Sequence, residues 1–226
     1  MLATYHGLHA GEPIAVLGSG PSLRRFRGQQ PIAIAVNGAA LYDVPYQYFA
    51  CGDAGAPWCE WFYGSRRFGA RRLVASFVAP RDAVLFPRAS TRYRLRAQRL
   101  PRGLAARLHD SMAPLYDYAP RARPAAGHGW FQYATPEFPS DAAVFRDTLR
   151  GGRVLHGASI AGVAVQIALT MGAAAIHLYG CAMDNDAGGN YFAPGSRGRT
   201  TPRQRAHFAA LLGWVEHGGV EVVRHG

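Results

Sequence analysis

The same short pattern recurs along this chain: a run of apolar residues that stops against a turn of small ones. Pro13 to Leu17 reads PIAVL and runs into GSGPS. Pro31 to Val36 reads PIAIAV and ends at Asn37-Gly38, and Tyr46 to Cys51 reads YQYFAC and ends at Gly52-Asp53. Leu73 to Val78 (LVASFV) is a fourth run. Uninterrupted apolar runs of this length suit strands buried on both faces, since half-exposed strands alternate. The spacing between them leaves room for short helices, which suits βαβ units and a parallel sheet. The pattern predicts an α/β fold: a Rossmann-like, mostly parallel sheet with helices on both faces.

The second half continues it. Ser159 to Met171 (SIAGVAVQIALTM) is apolar nearly all round, as a helix packed on a sheet must be. Gly172 follows as a C-terminal cap. Ala174 to Tyr179 predicts a strand closing at Gly180, Gln204 to His217 an amphipathic helix, and Val220 to Val223 a last strand. Residues 80–150 lack this periodicity and are rich in Pro and Arg. They are expected to form an Arg-rich insertion or lid within a single nucleotide-binding domain spanning residues 1–226. With 49% hydrophobic and 17% charged residues the composition is that of a globular chain. Cys51, Cys59 and Cys181 are too scattered for a disulfide framework or a zinc site. No apolar run is long enough to span a membrane, and Met1 to Gly11 has no apolar core of a signal peptide. A cytoplasmic protein is expected, peripheral at the inner membrane face if it meets a membrane at all.

All basic side chains other than His are arginines, and they are unevenly placed. Between Arg66 and Arg123 there are 14 Arg against Asp82, Asp110 and Asp117, so this segment carries +11, the net charge of the whole chain. Such a patch attracts phosphates, anionic lipid, nucleic acid or an acidic substrate. Nucleic acid is the least expected of these partners, because RNP aromatics, a helix-turn-helix pattern and zinc-finger spacings are all missing.

Chemistry concentrates at the strand ends. In Gly18-Ser19-Gly20-Pro21-Ser22-Leu23, the glycines allow a tight turn and close approach of a ligand, and Pro21 suits a first helical turn. Ser22 offers a cap or a hydroxyl, and open N–H groups at that helix start would favour an anion. The turn is neither the GxGxxG dinucleotide fingerprint nor a Walker loop. Asn37-Gly38 and Asp53 fall at carboxyl ends of strands, where open α/β sheets bind ligands. Asn37 suits a base or ribose edge, and Asp53 a sugar hydroxyl or a cation. Ser159 opens the buried helix at a second candidate anion site. Beyond Gly180 the loop carries Asp184, Asn185, Asp186 and Asn190, whose carboxylates suit magnesium or manganese. His156, His177 and His207 lie beside these edges as candidate general bases.

These residues together resemble two related groups. IAVLGSGPSL, an Asn closing the second strand, and SIAGVAVQIALTMGAAAIHLYG before an acidic loop are similar to the bacterial CMP-sialyltransferases of glycosyltransferase family 42. They are similar also to the broader superfamily of motility-associated glycosyltransferases and MptE-like 6-hydroxymethylpterin diphosphokinases. The likeness covers residues 12–55 and 155–224. It implies that Ser19 occupies the position of an Asn in the nucleotide loop and that Asn37 contacts the nucleotide. By the same likeness His177 stands where a Tyr assists the departing phosphate. Ala161-Gly162, with Ser159 nearby, replaces the Ser-Gly that opens the later helix. The catalytic His expected before the last helix has no counterpart in Gly195 to Pro202, which leaves His207 as its substitute. Gly180, Asp184, Gly189 and Tyr191 fit the broader superfamily. The resemblance implies a transferase using a nucleotide-activated sugar, with a glycan or other anionic acceptor, in surface-glycan assembly. A magnesium-dependent diphosphokinase acting on a pterin alcohol and a non-catalytic nucleotide or nucleic-acid binder are the alternatives.

Overall fold

The computed structural model describes residues 2–52, 68–75, 129–131, 138–155, 159–183, 189–190, 193–194 and 200–226. At its centre lie β1 (Pro13–Leu17), β2 (Ile32–Val36), β3 (Tyr48–Cys51), β4 (Arg71–Ala75), β5 (Gly129–Phe131), β6 (Ala175–Tyr179) and β9 (Glu221–His225). They form one sheet in the order β5-β4-β3-β2-β1-β6-β9, with every neighbouring pair parallel. A separate antiparallel pair, β7 (Gly189–Asn190) and β8 (Ala193–Pro194), stands apart from it. The chain lays strands outward from β1 to β5, then returns to the far side of β1 for β6 and β9. This reversal puts the switch point between β1 and β6, and open α/β sheets hold ligands at the carboxyl ends of such a pair.

The expected Rossmann-like α/β fold is therefore present. Its centre is also the part that read as continuous apolar runs: Ile14 to Leu17, Ala33 to Val36 and Tyr48 to Cys51 are all buried. Three α-helices are described: α1 (Ala142–Arg150), α2 (Ser159–Thr170) and α3 (Pro202–His217). Helix α2 packs on β1, β2 and β3 and is buried continuously from Ala161 to Ala168. Its one large polar side chain, Gln166, is fully satisfied: it accepts from Leu155 N–H at 2.7 Å and donates to the carbonyls of Leu155 and Gly162. Thr201 and Gln204 close a capping box on α3, whose Leu211, Leu212 and Val215 are buried. Side-chain alternation along β6 sends Ile176 and Leu178 to the α3 face, and His177 and Tyr179 to the opposite one, where Phe26 packs on Tyr179 at 5.1 Å.

Several details differ from the sequence reading. The links from β1 to β2 and from β2 to β3 contain five-residue 3-10 helices, Pro21–Arg25 and Asn37–Leu41, instead of α-helices. Pro31 and Gly28, the latter at φ 83°, leave too little regular chain for a longer helix in the first link. Strand β4 begins two residues early, because pairing sets Arg71 opposite Tyr48 at the start of β3. Strand β9 runs two residues further than its apolar stretch, to His225, because it follows β6 to Tyr179. Strand β5 and α1 both lie within residues 80–150, and both belong to the main body: β5 extends the sheet, and Phe145 of α1 packs on Trp214 of α3. Apart from residues 138–141, the rest of that stretch, with most of the arginines from Arg66 to Arg123, lies outside the described residues. No helix among the described residues is long and apolar enough to cross a membrane.

Candidate functional site

The glycine-rich turn after β1 and the turn after β6 hold each other directly at the switch point. Gly18 N–H donates to the Tyr179 carbonyl at 2.7 Å, and Gly20 N–H to the Gly180 carbonyl at 2.9 Å. In return, Gly180 N–H donates to Ser22 Oγ at 2.9 Å. The backbones lie so close that a Cβ on Gly18 would overlap the Gly180 carbonyl oxygen, and one on Gly20 would lie 2.9 Å from it. Gly180 has φ 66°, a conformation that suits glycine. The close approach that these glycines permit is used within the protein. The backbone of Gly180 is what a Cβ on Gly18 or Gly20 would meet, and the amides of Gly18, Gly20 and Leu23 are taken by the carbonyls of Tyr179, Gly180 and Gly20. The 3-10 turn that follows, Pro21–Arg25, is too short to present a helix dipole.

A different signal marks the same edge of the sheet. The described residues include three non-glycine positions with positive φ: Asn37 at 46°, Ser159 at 75° and Met183 at 56°. Asn37 directly follows β2, and Met183 lies just beyond the end of β6. Ser159 heads α2, whose far end reaches the amino edge, where Gly11 N–H bonds to the Gly172 carbonyl. Twelve helical residues span roughly 18 Å, so Ser159 stands at the carboxyl edge with the other two. The left-handed conformation costs an L-residue roughly 1–2 kcal/mol, less for Asn. Asn37 carries a second penalty: its Oδ1 is buried with no hydrogen-bond partner. Leaving a buried acceptor unsatisfied costs roughly 1–3 kcal/mol. Ser159 Oγ is 3.4 Å from Gly162 N–H and caps its own helix.

At the outer end of this edge, β6 and β9 bring two histidines together. His177 Nδ1 lies 3.1 Å from His225 Nε2, so one nitrogen donates and the other accepts. The His225 ring stacks on Tyr179 at 3.9 Å and 5°, and Tyr179 Oη donates to Gln30 Oε1 at 3.2 Å. Burial, then His177, then Arg25 hold the His225 pKa below the ordinary imidazole range, which favours a neutral ring. On the α3 face the end of β9 borders a cavity of about 450 Å3, together with Cys181, Met183, Arg205, Phe208 and Arg224, while the His225 ring itself lies with Tyr179 on the other face. Arg224 is paired with Glu216 at 3.0 Å. Cys181 is no nucleophile: it is buried beneath the clasp, 3.3 Å from the Tyr179 carbonyl, and burial pushes its thiol up to about 12.

Of the residues singled out in the sequence, Gly18, Ser19, Gly20, Pro21, Ser22 and Gly180 thus belong to the clasp. Asn37, Gly38 and Ser159 stand on the same edge. His177 sits two residues below the end of β6 and meets His225, which no sequence pattern singles out. His207 is turned elsewhere, stacked on Phe138 at 4.3 Å, and does not line the cavity. Asp53, His156, Asp184, Asn185, Asp186 and Tyr191 lie outside the described residues. Among the described residues no group of three or more His, Cys, Asp or Glu could hold a metal ion. No protein-family model matches this chain, and no curated protein matches it either.

Proposed function

We propose that this chain is a transferase that moves a sugar from a nucleotide-activated donor to a glycan or other anionic acceptor. The observation that supports it most is the concentration of costly non-glycine conformations at the carboxyl edge, with Asn37 Oδ1 left unpartnered beside the switch point. Strain of this kind collects at ligand sites because the side chain is needed there. In this reading Asn37 Oδ1 accepts a hydrogen bond from the donor's base or ribose. The first turn of α2, whose N–H groups lack intrahelical carbonyls, takes the phosphate. The acceptor enters on the face of the sheet that carries Tyr179, beside the His225 ring and Arg25. Its hydroxyl oxygen attacks the anomeric carbon, the bond to the phosphate oxygen breaks, and the nucleotide leaves with the electron pair. His225 Nδ1, the ring nitrogen turned away from His177, takes the hydroxyl proton. His177 positions that ring by accepting from Nε2–H and shares the imidazolium charge. The reaction belongs to surface-glycan assembly, in the cytoplasm or at the inner membrane face. A magnesium or manganese requirement rests with Asp184 and Asp186.

The test is a thermal-shift panel of CMP, UDP, GDP, ATP and their sugar conjugates, with and without magnesium. A ligand at a hundredfold excess over its Kd stabilises by about 2.7 kcal/mol. For a chain of this size that is roughly 5–10 °C in Tm. Asn37→Gly should lose the response, while His225→Gln should keep binding and lose turnover. A response to ATP with magnesium alone would transfer the chain to the diphosphokinases. Binding without turnover of any nucleotide sugar would make it a binder only, and a flat panel would sink the reading.

A further inference from the structure

The opposite, amino edge of the sheet carries a second constellation. A cavity of about 410 Å3 opens between the segment before β1 and the starts of β3 and β4, lined by Leu8, His9, Pro45, Tyr48, Phe68 and Arg71 among others. Its walls are aromatic: Tyr46 meets Phe68 edge-on at 5.2 Å, and Tyr48 meets both Tyr5 at 6.1 Å and His9 at 5.5 Å. Its polar groups converge. Tyr48 Oη and His9 Nε2 are 2.7 Å apart, and Arg71, exposed at the rim, acts electrostatically on Tyr5, Tyr48 and His9. Leu8, 47% exposed, sits on the same rim, one of two large hydrophobics left in water among the described residues.

We propose that this cavity is a second ligand site, and that it takes a small carboxylate with an apolar or aromatic body. The Arg71 guanidinium offers two parallel N–H groups to a carboxylate. The Tyr48 hydroxyl can turn from His9 to donate a third bond. The aromatic walls and Leu8 cover the apolar body, the combination of apolar lining and few placed polar groups that ligand pockets share. The Glu12 carboxylate acts on His9 from the same segment, so the site favours a single negative charge over a phosphate dianion. The four residues of β3 separate the two edges by roughly 13 Å, so this ligand does not touch the proposed donor. The proposal stands apart from the glycosyl-transfer reading.

The experiment uses the full chain with benzoate, hexanoate and inorganic phosphate as probes, read by thermal shift and by the His9 ring resonances. Benzoate and hexanoate should raise Tm and shift the His9 signals, and phosphate should do neither at equal concentration. Arg71→Gln should weaken benzoate at least tenfold, and Arg71→Lys, which keeps the charge but loses the fork, should fall between. Asn37→Gly should leave the benzoate response intact while losing the nucleotide response, so the two sites fail separately. The proposal is overturned if neither carboxylate moves Tm or His9 at millimolar concentration, if Arg71→Gln responds like the parent, or if phosphate matches benzoate.

Discussion

The two edges of the sheet handle left-handed backbone in opposite ways. On the approaches to the strands, at the amino edge, the described positive-φ positions are glycines: Gly7 and Gly11 before β1, Gly28 before β2, Gly69 before β4, Gly172 before β6 and Gly219 before β9. At the carboxyl edge the left-handed positions are Asn37, Ser159 and Met183, with Gly180 the exception. Glycine is the cheap residue wherever only the turn matters. An L-residue kept in the same conformation carries a penalty that its side chain must offset. The amino edge is thus built for geometry, and the carboxyl edge for side chains that something else uses. Gly180 fits this reading, since its neighbour is the Gly18 backbone and no side chain has room there.

The largest effect should come from that exception. Gly18→Ala forces a methyl group onto the Gly180 carbonyl, with backbone on both sides and no flexible side chain to yield. Overpacking against a rigid neighbour costs typically 1–3 kcal/mol, and the loss of two clasp hydrogen bonds adds to it. We expect a loss of about 3 kcal/mol in urea unfolding. A variant as stable as the parent would mean that the clasp is loose and its turns free for a ligand.

Asn37→Gly should do the reverse. It removes an L-residue from φ 46° and an unpartnered buried oxygen, at the expense of the extra freedom glycine gives the unfolded chain. The sum is a stability unchanged or raised by up to about 1 kcal/mol, while nucleotide affinity falls at least tenfold. The same exchange at the amino edge, Gly69→Asn, should lower stability and leave nucleotide binding alone. If Asn37→Gly instead destabilises the fold and spares binding, the contrast between the edges has no functional content.

Much of this was legible in the chain. The runs PIAVL, PIAIAV and AIHLY became β1, β2 and β6, because strands buried on both faces must be apolar throughout. Gly18, Asn37 and Gly180 were found because a strand that stops at a small residue announces its edge. The contact the glycines make was not legible: GSG suits a phosphate and a second backbone equally, and the backbone of Gly180 comes close only through the β1–β6 pairing. His225 was hidden for a related reason. Edge strand β9 reads EVVRH with little buried surface, so its last two residues carried no strand signal. Its partner His177 lies 48 positions away in sequence, and parallel register alone joins them. Propensity likewise does not tell a five-residue 3-10 turn from the start of an α-helix. Met183 left no trace in the sequence, since methionine has no preference for positive φ.

The smallest effect concerns pH, and it separates the edges by their histidines. Burial lowers the pKa of both His225 and His9 from 6.5. Between the lowered native value and 6.5 the unfolded chain binds more protons than the native one. Stability is therefore complete above about pH 6.5 and is lost as pH falls through the native pKa values. At His225 the neighbours act with burial: His177 and Arg25 both oppose a charge, and protonating both rings removes the acceptor from their hydrogen bond. At His9 the neighbours are divided, because Glu12 favours the charged ring while Arg71 opposes it. Both rings are only half-buried, so water still screens the interactions and the change is modest. Urea midpoints at pH 7.5 and 5.5 should thus differ slightly in the parent. His225→Gln should remove more of that difference than His9→Gln. Turnover, if His225 is the base, should decline over the same acid limb, and the His9→Gln variant should keep that decline. Equal flattening by the two substitutions would show that the acid sensitivity is a general property of half-buried imidazoles, with nothing special at the carboxyl edge.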